Sequence, residues 1–388
     1  MYKEFAVENK WFNKIKNGTK TIEIRVNSTR RRHLKTNDLI KIKNESTNEL
    51  LLGKITKIHN FPTFKMLFEA LEPNKLGFDS ANDNNYEQMY NYYTKEQEKE
   101  NGVIGVEFEL TMINLDDIDN FVFDMDGTLL DEKSKPVPEN LAMIQELQKQ
   151  GKKIAICTGR PYFTLQRVLT QIEPDYPIVA ANGAMIYDNH TKEMVHFMAI
   201  EKHDAQVIFD FLMKENFEFV IYTAKKMYGH CTDATDFFSQ RKYYNALRPD
   251  FYTDIDETFN PKDHEISKFL ILTESRPSSS LPEMEILANK FPNMHGVYSR
   301  HDMYDIMHKD ASKGNGLLYL AKTKGLNLER TIVFGDSEND ISMFIQAKYS
   351  GAMANGFVET RKHSLFECDD HNTPWFANFV NKVLDKKQ

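Results

Sequence analysis

Residues Ile118 to Asp131 read IDNFVFDMDGTLLD. Phe121, Val122 and Phe123 form an apolar run short enough for a buried strand, and it stops at Asp124, Met125, Asp126, Gly127 and Thr128. At the carboxyl end of a strand, that order sets two carboxylates beside an open crevice. One can attack an electrophile and the other can move protons. Taken alone, the pattern also fits an acidic turn or the opening of a calcium loop. Against the calcium loop, no helix signal enters it, Gly127 comes too early and no glutamate closes it. The reading therefore turns on what partners the rest of the chain supplies.

Downstream, strand and helix signals alternate. Pro138 to Gln150 is an amphipathic helix stopped by Gly151, KKIAICTGR a second strand, and Pro161 to Thr170 a second helix. This rhythm predicts an α/β core with a parallel sheet and helices on both faces. Thr158 and Gly159 then leave the second strand at the same edge as Asp124 and Asp126, where a hydroxyl and backbone N–H groups can hold a phosphate oxygen. Threonine and glycine are also ordinary turn residues. Arg160, and Asn182 in PIVAANGAMIYD, are further polar groups near strand ends; for Asn182, turn formation is an equal reading.

Residues 198 to 300 break the rhythm. AQVIFDFLMKENFEFVIYT reads as helix then strand, ISKFLILTE as a long strand and LPEMEILANKF as a helix, so the segment is expected to be an α/β insert on its own sheet, placed as a lid. RPSSS (Arg276 to Ser280) is expected to be a surface loop. Tyr222, Tyr228, His230, Tyr243 and Tyr244 are pocket candidates by composition, with core packing the better reading. Beyond the insert, Lys313 and Gly314 open an amphipathic helix, from which a lysine reaches an anionic centre. Thr331 to Phe334 is a buried strand; after Gly335, Asp336 and Asp340 bracket Ser337, Glu338 and Asn339. Two carboxylates four apart across such a turn suit Mg²⁺, which prefers hard oxygens.

In order, DMDGT, TGR, SKG and GDSEND resemble the four motifs of the haloacid dehalogenase superfamily. NGAMIYD and the insert of about 100 residues between TGR and SKG resemble its Cof-like branch, subfamily IIB, with a C2-type cap. The resemblance covers residues 118 to 388 and implies a Rossmann-like core over 118–197 and 301–388 with a cap over 198–300. It implies Asp124 as the nucleophile that forms an aspartyl-phosphate and Asp126 as the general acid and base. Thr158 and Lys313 would steady the transferring group, and Gly159, Arg160, Asn182 and Asn339 would meet substrate. Mg²⁺ would be held by Asp336, with Asp340 nearby, an Asp124 oxygen and the Asp126 carbonyl. The expected activity is a Mg²⁺-dependent phosphatase acting on a small phosphorylated metabolite. A phosphomutase or phosphotransferase of the same fold is the alternative.

Residues 1 to about 114 are a β-rich module of another kind. TKTIEIRV (Thr19 to Val26), LIKIKN, LLLGKITKI and GVIGVEFEL read as strands and Pro62 to Leu71 as a helix. Gly18, Lys20, Thr21, Glu23 and Arg25 make GxKTxExR, followed by Arg30, Arg31, Arg32, Leu34, Lys35 and Asp38 and later by YYTKEQEKENGVIGVEFEL. This set resembles the ASCH domain, a PUA-like barrel associated with RNA or modified-nucleoside binding. The resemblance makes Lys20, Glu23, Arg25 and Arg31 candidates for contacting RNA or a nucleotide; a solvated basic edge is the other reading. Some ASCH-like domains are amidohydrolases that need a threonine three residues after the lysine; Glu23 stands there, so that activity is not expected. An RNA-binding or sensing protein regulated by its phosphatase part is a further alternative.

Residues 1 to 65 hold 15 Lys+Arg against 6 Asp+Glu, whereas residues 66 to 388 hold 34 against 51. A basic start thus precedes an acidic remainder, which argues against nucleic-acid binding along the whole molecule. No apolar run approaches membrane-spanning length and MYKEFAVENKW has no signal-peptide core, so the expected location is cytoplasmic with no membrane partner. Cys157, Cys231 and Cys368 are too few and scattered for a disulfide framework or a zinc site.

Overall fold

The computed structural model describes residues 3–29, 31–47, 49–78, 85–230, 250–273, 281–300, 303–382 and 384–385. The chain divides into two units, Met1–Ile113 and Asn114–Gln388.

The first unit is a five-stranded half-barrel in the order Lys3–Val7, Leu39–Asn44, Leu50–Phe61, Val103–Leu110, Ile22–Val26. The pairs are antiparallel except the first, which is parallel. Phe12 and Ile15 of the helix Asn9–Lys16 pack onto one side of the sheet with Phe5, Ile40 and Ile42. Phe64 and Leu67 of the helix Phe64–Ala70 pack with Ile22, Ile24 and Val103. The sequence reading misses the strand Lys3–Val7 and the helix after it, because KEFAV is short and runs without a turn signal into NKWFNKIK.

The second unit is organised by a parallel sheet in the order Phe366–Cys368, Tyr349–Met353, Thr331–Gly335, Asn120–Phe123, Lys153–Ile156. All but the edge strand Phe366–Cys368 are nearly continuous buried runs, as a sheet covered on both faces requires. One face packs under Trp375, Phe376 and Phe379 of the helix Trp375–Lys382, whose rings meet Phe123 and Phe334. The other packs under Leu317 and Leu320 of the helix Lys313–Lys324. The helix Pro138–Lys149 forms as expected, but Pro161–Thr170 is two short turns, Tyr162–Thr164 and Gln166–Leu169. The Thr164 hydroxyl donates to the Pro161 carbonyl at 2.8 Å and Leu165 N bonds three residues back to Tyr162, which tightens the turn.

The insert carries a six-stranded sheet ordered Tyr252–Asp254, Met227–His230, Glu218–Thr223, Ile266–Leu272, Met303–His308, Met294–Arg300. The helix Lys202–Lys214 supplies Ile208 and Leu212, and the helix Leu281–Lys290 supplies Met284, to its apolar core. Met303–His308 lies beyond residue 300, where the sequence reading ends the insert. It pairs antiparallel with both Ile266–Leu272 and Met294–Arg300, so the last strand of the cap runs almost directly into the helix that begins at Lys313. RPSSS, Cys231, Tyr243 and Tyr244 lie outside the described residues.

Candidate active site

Adjacent parallel strands end together, and the ladder brings the motifs to one edge. Phe123 pairs with both Phe334 and Ile156; just past those pairs, Asp124 N donates to Phe334 O and Cys157 N to Phe123 O, each at 2.9 Å. Asp124, Thr158 and Asp336 therefore emerge side by side. Gly127 turns at φ +78°, and a Cβ there would stand 2.5 Å from Asp336 Oδ2, so the DMDG loop can lie against the Asp336 carboxylate only with glycine at this position.

Lys313, the first residue of its helix after the Ser312 N-cap, reaches this edge. Its Nζ lies 2.5 Å from Asp124 Oδ1 and 2.5 Å from Asp340 Oδ1, with all three side chains buried. The second Asp340 oxygen accepts from Asp336 N at 2.9 Å and Ser337 N at 3.0 Å, which fixes the turn that presents Asp336. Asp336 in turn accepts from Ser337 Oγ at 3.0 Å and Thr128 Oγ1 at 3.4 Å. Asp126, more open than Asp124, is held bidentate by Arg160, with Nε 2.5 Å from Oδ2 and Nη2 on Oδ1. Thr158 is buried, and its hydroxyl accepts from Arg160 N at 3.1 Å.

The electrostatics follow. Burial pushes the Asp124 carboxyl up to about 7, opposed by Lys313 and helped by Asp340 and Asp126. Burial, Asp124 and Asp340 drive Asp336 well above the usual carboxylate range. The two aspartates beside Lys313 hold its ammonium charged despite its burial. Burial works against ionisation of Asp126, but the Arg160 guanidinium outweighs it and holds that carboxyl low. One lysine against three carboxylates, Asp124 and Asp340 buried and Asp336 half-buried, leaves the cluster short of positive charge. Asp124, Asp336 and Asp340 each bring an oxygen within 4.8 Å of the others, a donor set of hard anionic oxygens that fits a divalent cation.

Asn182 has both ends of its amide occupied within the protein. Its Nδ2 donates to Asp305 Oδ2 at 2.7 Å and its Oδ1 accepts from Asn339 Nδ2 at 3.0 Å. It lies in a run of three positive φ values, Ala181 at 47°, Asn182 at 55° and Gly183 at 88°. For the two residues with side chains, such backbone costs on the order of 1–3 kcal/mol each and persists only where the surroundings impose it. Gly159 is next to this turn, its Cβ position 3.1 Å from Asn182 Oδ1.

The aromatic candidates of the cap belong to its packing. Tyr222 is buried beneath Lys268, whose Nζ is 4.7 Å from the ring centroid. Tyr228 lies against Phe259 and His264, and His230 against Phe219. Sequence reasoning passes over Thr128, Lys268, Asp305 and Glu338. A signal exists for Lys268 and Asp305: each interrupts an otherwise apolar strand, ISKFLIL and MYDIMH. Glu338 accepts from the backbone N of Tyr298 in the cap at 3.3 Å. Cys157 and Cys368 are free and buried; burial pushes the Cys157 thiol up to about 12, leaving it inert at neutral pH.

The first unit has its own cavity, of about 270 Å³, lined by Trp11, Lys20, Glu23, Arg25, Tyr92 and Tyr93 among others. Lys20 is buried and donates to Ile22 O at 2.6 Å and Leu76 O at 3.0 Å, with Glu23 Oε2 3.3 Å away. Arg25 bonds the other Glu23 oxygen and reaches Ala6 O at 2.6 Å, tying one edge strand to the other. Arg31 does not line this cavity. Its guanidinium serves the turn, donating to Val26 O at 3.1 Å and Ser28 Oγ at 3.4 Å.

Residues 121–379 match the profile of the haloacid dehalogenase-like hydrolases. The chain belongs to this family. Residues 5–112 match the ASCH domain. A Mycoplasma pneumoniae protein with a provisional phosphatase name is 33% identical over 258 residues, 64% of this chain and 91% of its own length. The 5-amino-6-(5-phospho-D-ribitylamino)uracil phosphatase YwtE of Bacillus subtilis is 25% identical over 67% of this chain and 96% of its own. A haloacid dehalogenase-like hydrolase structure from B. subtilis superposes with a TM-score of 0.60 at 22% identity, covering 69% of this chain and all of that one, and shares the fold. This member of the haloacid dehalogenase-like hydrolases is a phosphatase of the Cof type. Among the described residues no helix is long and apolar enough to cross a membrane.

Proposed function

We propose that the chain hydrolyses a small phosphorylated metabolite through an aspartyl-phosphate on Asp124, with Mg²⁺ bound at Asp336. The observation that carries this reading is Lys313 Nζ shared between Asp124 and Asp340 beside the Asp336 carboxylate. Lys313 orients the Asp124 oxygen that attacks phosphorus. Asp126 donates a proton to the leaving oxygen and then takes one from the water that cleaves the aspartyl-phosphate. Before substrate arrives Arg160 holds Asp126 ionised; once an incoming phosphate monoester draws the guanidinium away, Asp126 takes up, from the substrate's own P–OH or from water, the proton that it then gives to the leaving oxygen. Thr158 and the backbone N–H groups of its turn receive phosphoryl oxygens. Asp336, Asp124 and the Asp126 carbonyl would hold a divalent ion, which when bound would supply the charge that lets an anionic nucleophile meet an anionic phosphate. The cap sheet, docked through Glu338 and Lys268, limits the site to small substrates.

The test is hydrolysis of p-nitrophenyl phosphate in H₂¹⁸O. With Mg²⁺ the released phosphate carries label from water; with chelator the rate falls at least about a hundredfold and recovers when Mg²⁺ returns. A phosphoryl group that passes unlabelled to an added alcohol or sugar phosphate, with little inorganic phosphate released, establishes the mutase or transferase alternative instead. Activity indifferent to chelation removes the metal from the scheme.

The cavity of the first unit favours a second, separate reading: it takes a nucleoside-sized ligand. Trp11, Phe78, Tyr92 and Tyr93 stand in its walls, the charges of Lys20 and Arg25 are matched internally by Glu23, and Glu23 Oε2 is buried with Lys20 Nζ at 3.3 Å and acceptor capacity to spare. Those features suit a flat base bearing N–H donors better than a run of phosphates. Nucleosides are expected to quench Trp11 fluorescence in the full chain, with the response lost in Glu23→Gln. RNA binding should be weak and fade with salt. No quenching by any of the four common nucleosides at millimolar concentration would defeat the idea.

A further inference from the structure

Lys268 and Asp305 form a buried ion pair that the chemistry above does not use. Lys268 stands on the cap strand Ile266–Leu272 and Asp305 on its neighbour Met303–His308, with side chains 1% and 0% exposed. Their neighbours Phe269, Ile271, Ile306 and Met307 are wholly buried and apolar. Lys268 Nζ is 2.9 Å from Asp305 Oδ2 and donates a second bond, also 2.9 Å, to the main-chain oxygen of Gly159 in the TGR turn. The same Asp305 oxygen accepts from Asn182 Nδ2, and Asn182 Oδ1 accepts from Asn339, one residue before Asp340. The main chain closes the circuit: Asn182 N donates to Thr158 O at 3.0 Å and Ala181 N to Arg160 O at 2.8 Å.

A hydrophobic pair of similar volume would fill this place without the desolvation cost of two buried charges, so stability alone does not account for the pair. Its geometry does. Gly159 has no side chain by which the core could hold it, and the strained Ala181–Gly183 turn against which it rests is itself held by Asp305. We propose that Lys268 and Asp305 are positioning residues, through which the docked cap sets the Thr158–Arg160 turn and the Asn182–Asn339 amide pair in the geometry that receives the phosphoryl group. The proposal rests on the phosphatase reading for its kinetic consequences, but not for its structural ones.

Lys268→Met alone leaves a buried carboxylate unpaired and risks misfolding, so the decisive variant is Lys268→Met/Asp305→Leu in the full-length chain. Its melting temperature is expected to stay at or above that of the wild type. Its kcat on p-nitrophenyl phosphate at saturating Mg²⁺ should fall about 10–100-fold, the penalty for a reacting group misplaced by about an ångström. Inhibition by orthovanadate, which occupies the phosphoryl position, should weaken by a similar factor, while the Mg²⁺ concentration for half activity stays the same. A merely structural pair would move none of these in a variant that folds. By hydrogen exchange, the amides of Ala181 and Asn182 should open at least about tenfold more readily. A folded double variant with kcat and vanadate inhibition within twofold of wild type overturns the proposal, as do unchanged exchange rates. Wild-type protein with no phosphatase activity would instead count against the phosphatase reading, and exchange at residues 181 and 182 would still decide whether the pair holds the turn.

Discussion

Asp124→Asn is expected to lower phosphatase activity by roughly four orders of magnitude or more, as loss of a nucleophile that acts as part of a unit does, while the protein stays folded. The amide has the same shape, and its oxygen can still accept from Lys313 Nζ, so the local packing has no reason to change. The stability change has a definite sign. Folding raises the Asp124 carboxyl from its ordinary value to about 7, so the folded state holds that proton more tightly than the unfolded chain. Ionising Asp124 therefore costs stability, a cost that grows as pH rises from about 4 to about 7 and stays in full above it. Without metal, the asparagine variant should melt at or above the wild-type temperature at pH 8, with the advantage gone near pH 4. Thermal melts across that range, paired with p-nitrophenyl phosphate assays, check both halves. Full activity in the folded variant would overturn the mechanism.

Lys313→Met is expected to fail in a different way. It removes the cation shared by Asp124 and Asp340 and leaves buried carboxylates facing one another. Breaking a buried pair from one side costs about 3–5 kcal/mol, and losing a preorganised charge at the reacting group costs about three orders of magnitude in kcat. The two losses separate on adding Mg²⁺. A divalent ion that binds the folded state restores stability by mass action, but it cannot orient the Asp124 oxygen as the lysine does. Millimolar Mg²⁺ should therefore raise the melting temperature of the variant more than that of the wild type and leave its kcat low. Equal recovery of both would mean that Lys313 serves only to balance charge.

The motifs were legible because each pairs a buried-strand signal with residues whose chemistry is plain. FVF before DMDGT, KIAI before TGR and TIVF before GDSEND announce three strand ends, and parallel pairing brings them together. Less legible was anything set by contacts between distant segments. ISKFLIL reads as a strand whether or not Lys268 finds Gly159, since the partner lies more than 100 residues away. Arg160 reads as a substrate ligand, but in the structure its partner is Asp126, a pairing that depends on how two loops meet. The insert reads as ending at residue 300, whereas MYDIMH pairs antiparallel with MHGVYSR in the cap sheet, and the helix of Lys313 follows close behind it. In the first unit, Lys20 and Glu23 were visible as a pattern on one strand, but the aromatic walls around them come from residues near 11 and 92.

The order of strands in the central sheet also bears on how the protein is made. Asn120–Phe123 can pair with Lys153–Ile156 soon after both leave the ribosome, but its other neighbour, Thr331–Gly335, comes later, with 211 residues separating Asn120 from its partner Thr331. At roughly 5–20 residues per second, the apolar edge of the strand that presents Asp124 waits about 10–40 s for its neighbour. During that interval the cap can fold on its own sheet, while the half-built core keeps an unpaired apolar strand edge. Asp124 and Asp336 first meet only once the strand Thr331–Gly335 has been made, so no shorter nascent chain carries the assembled site.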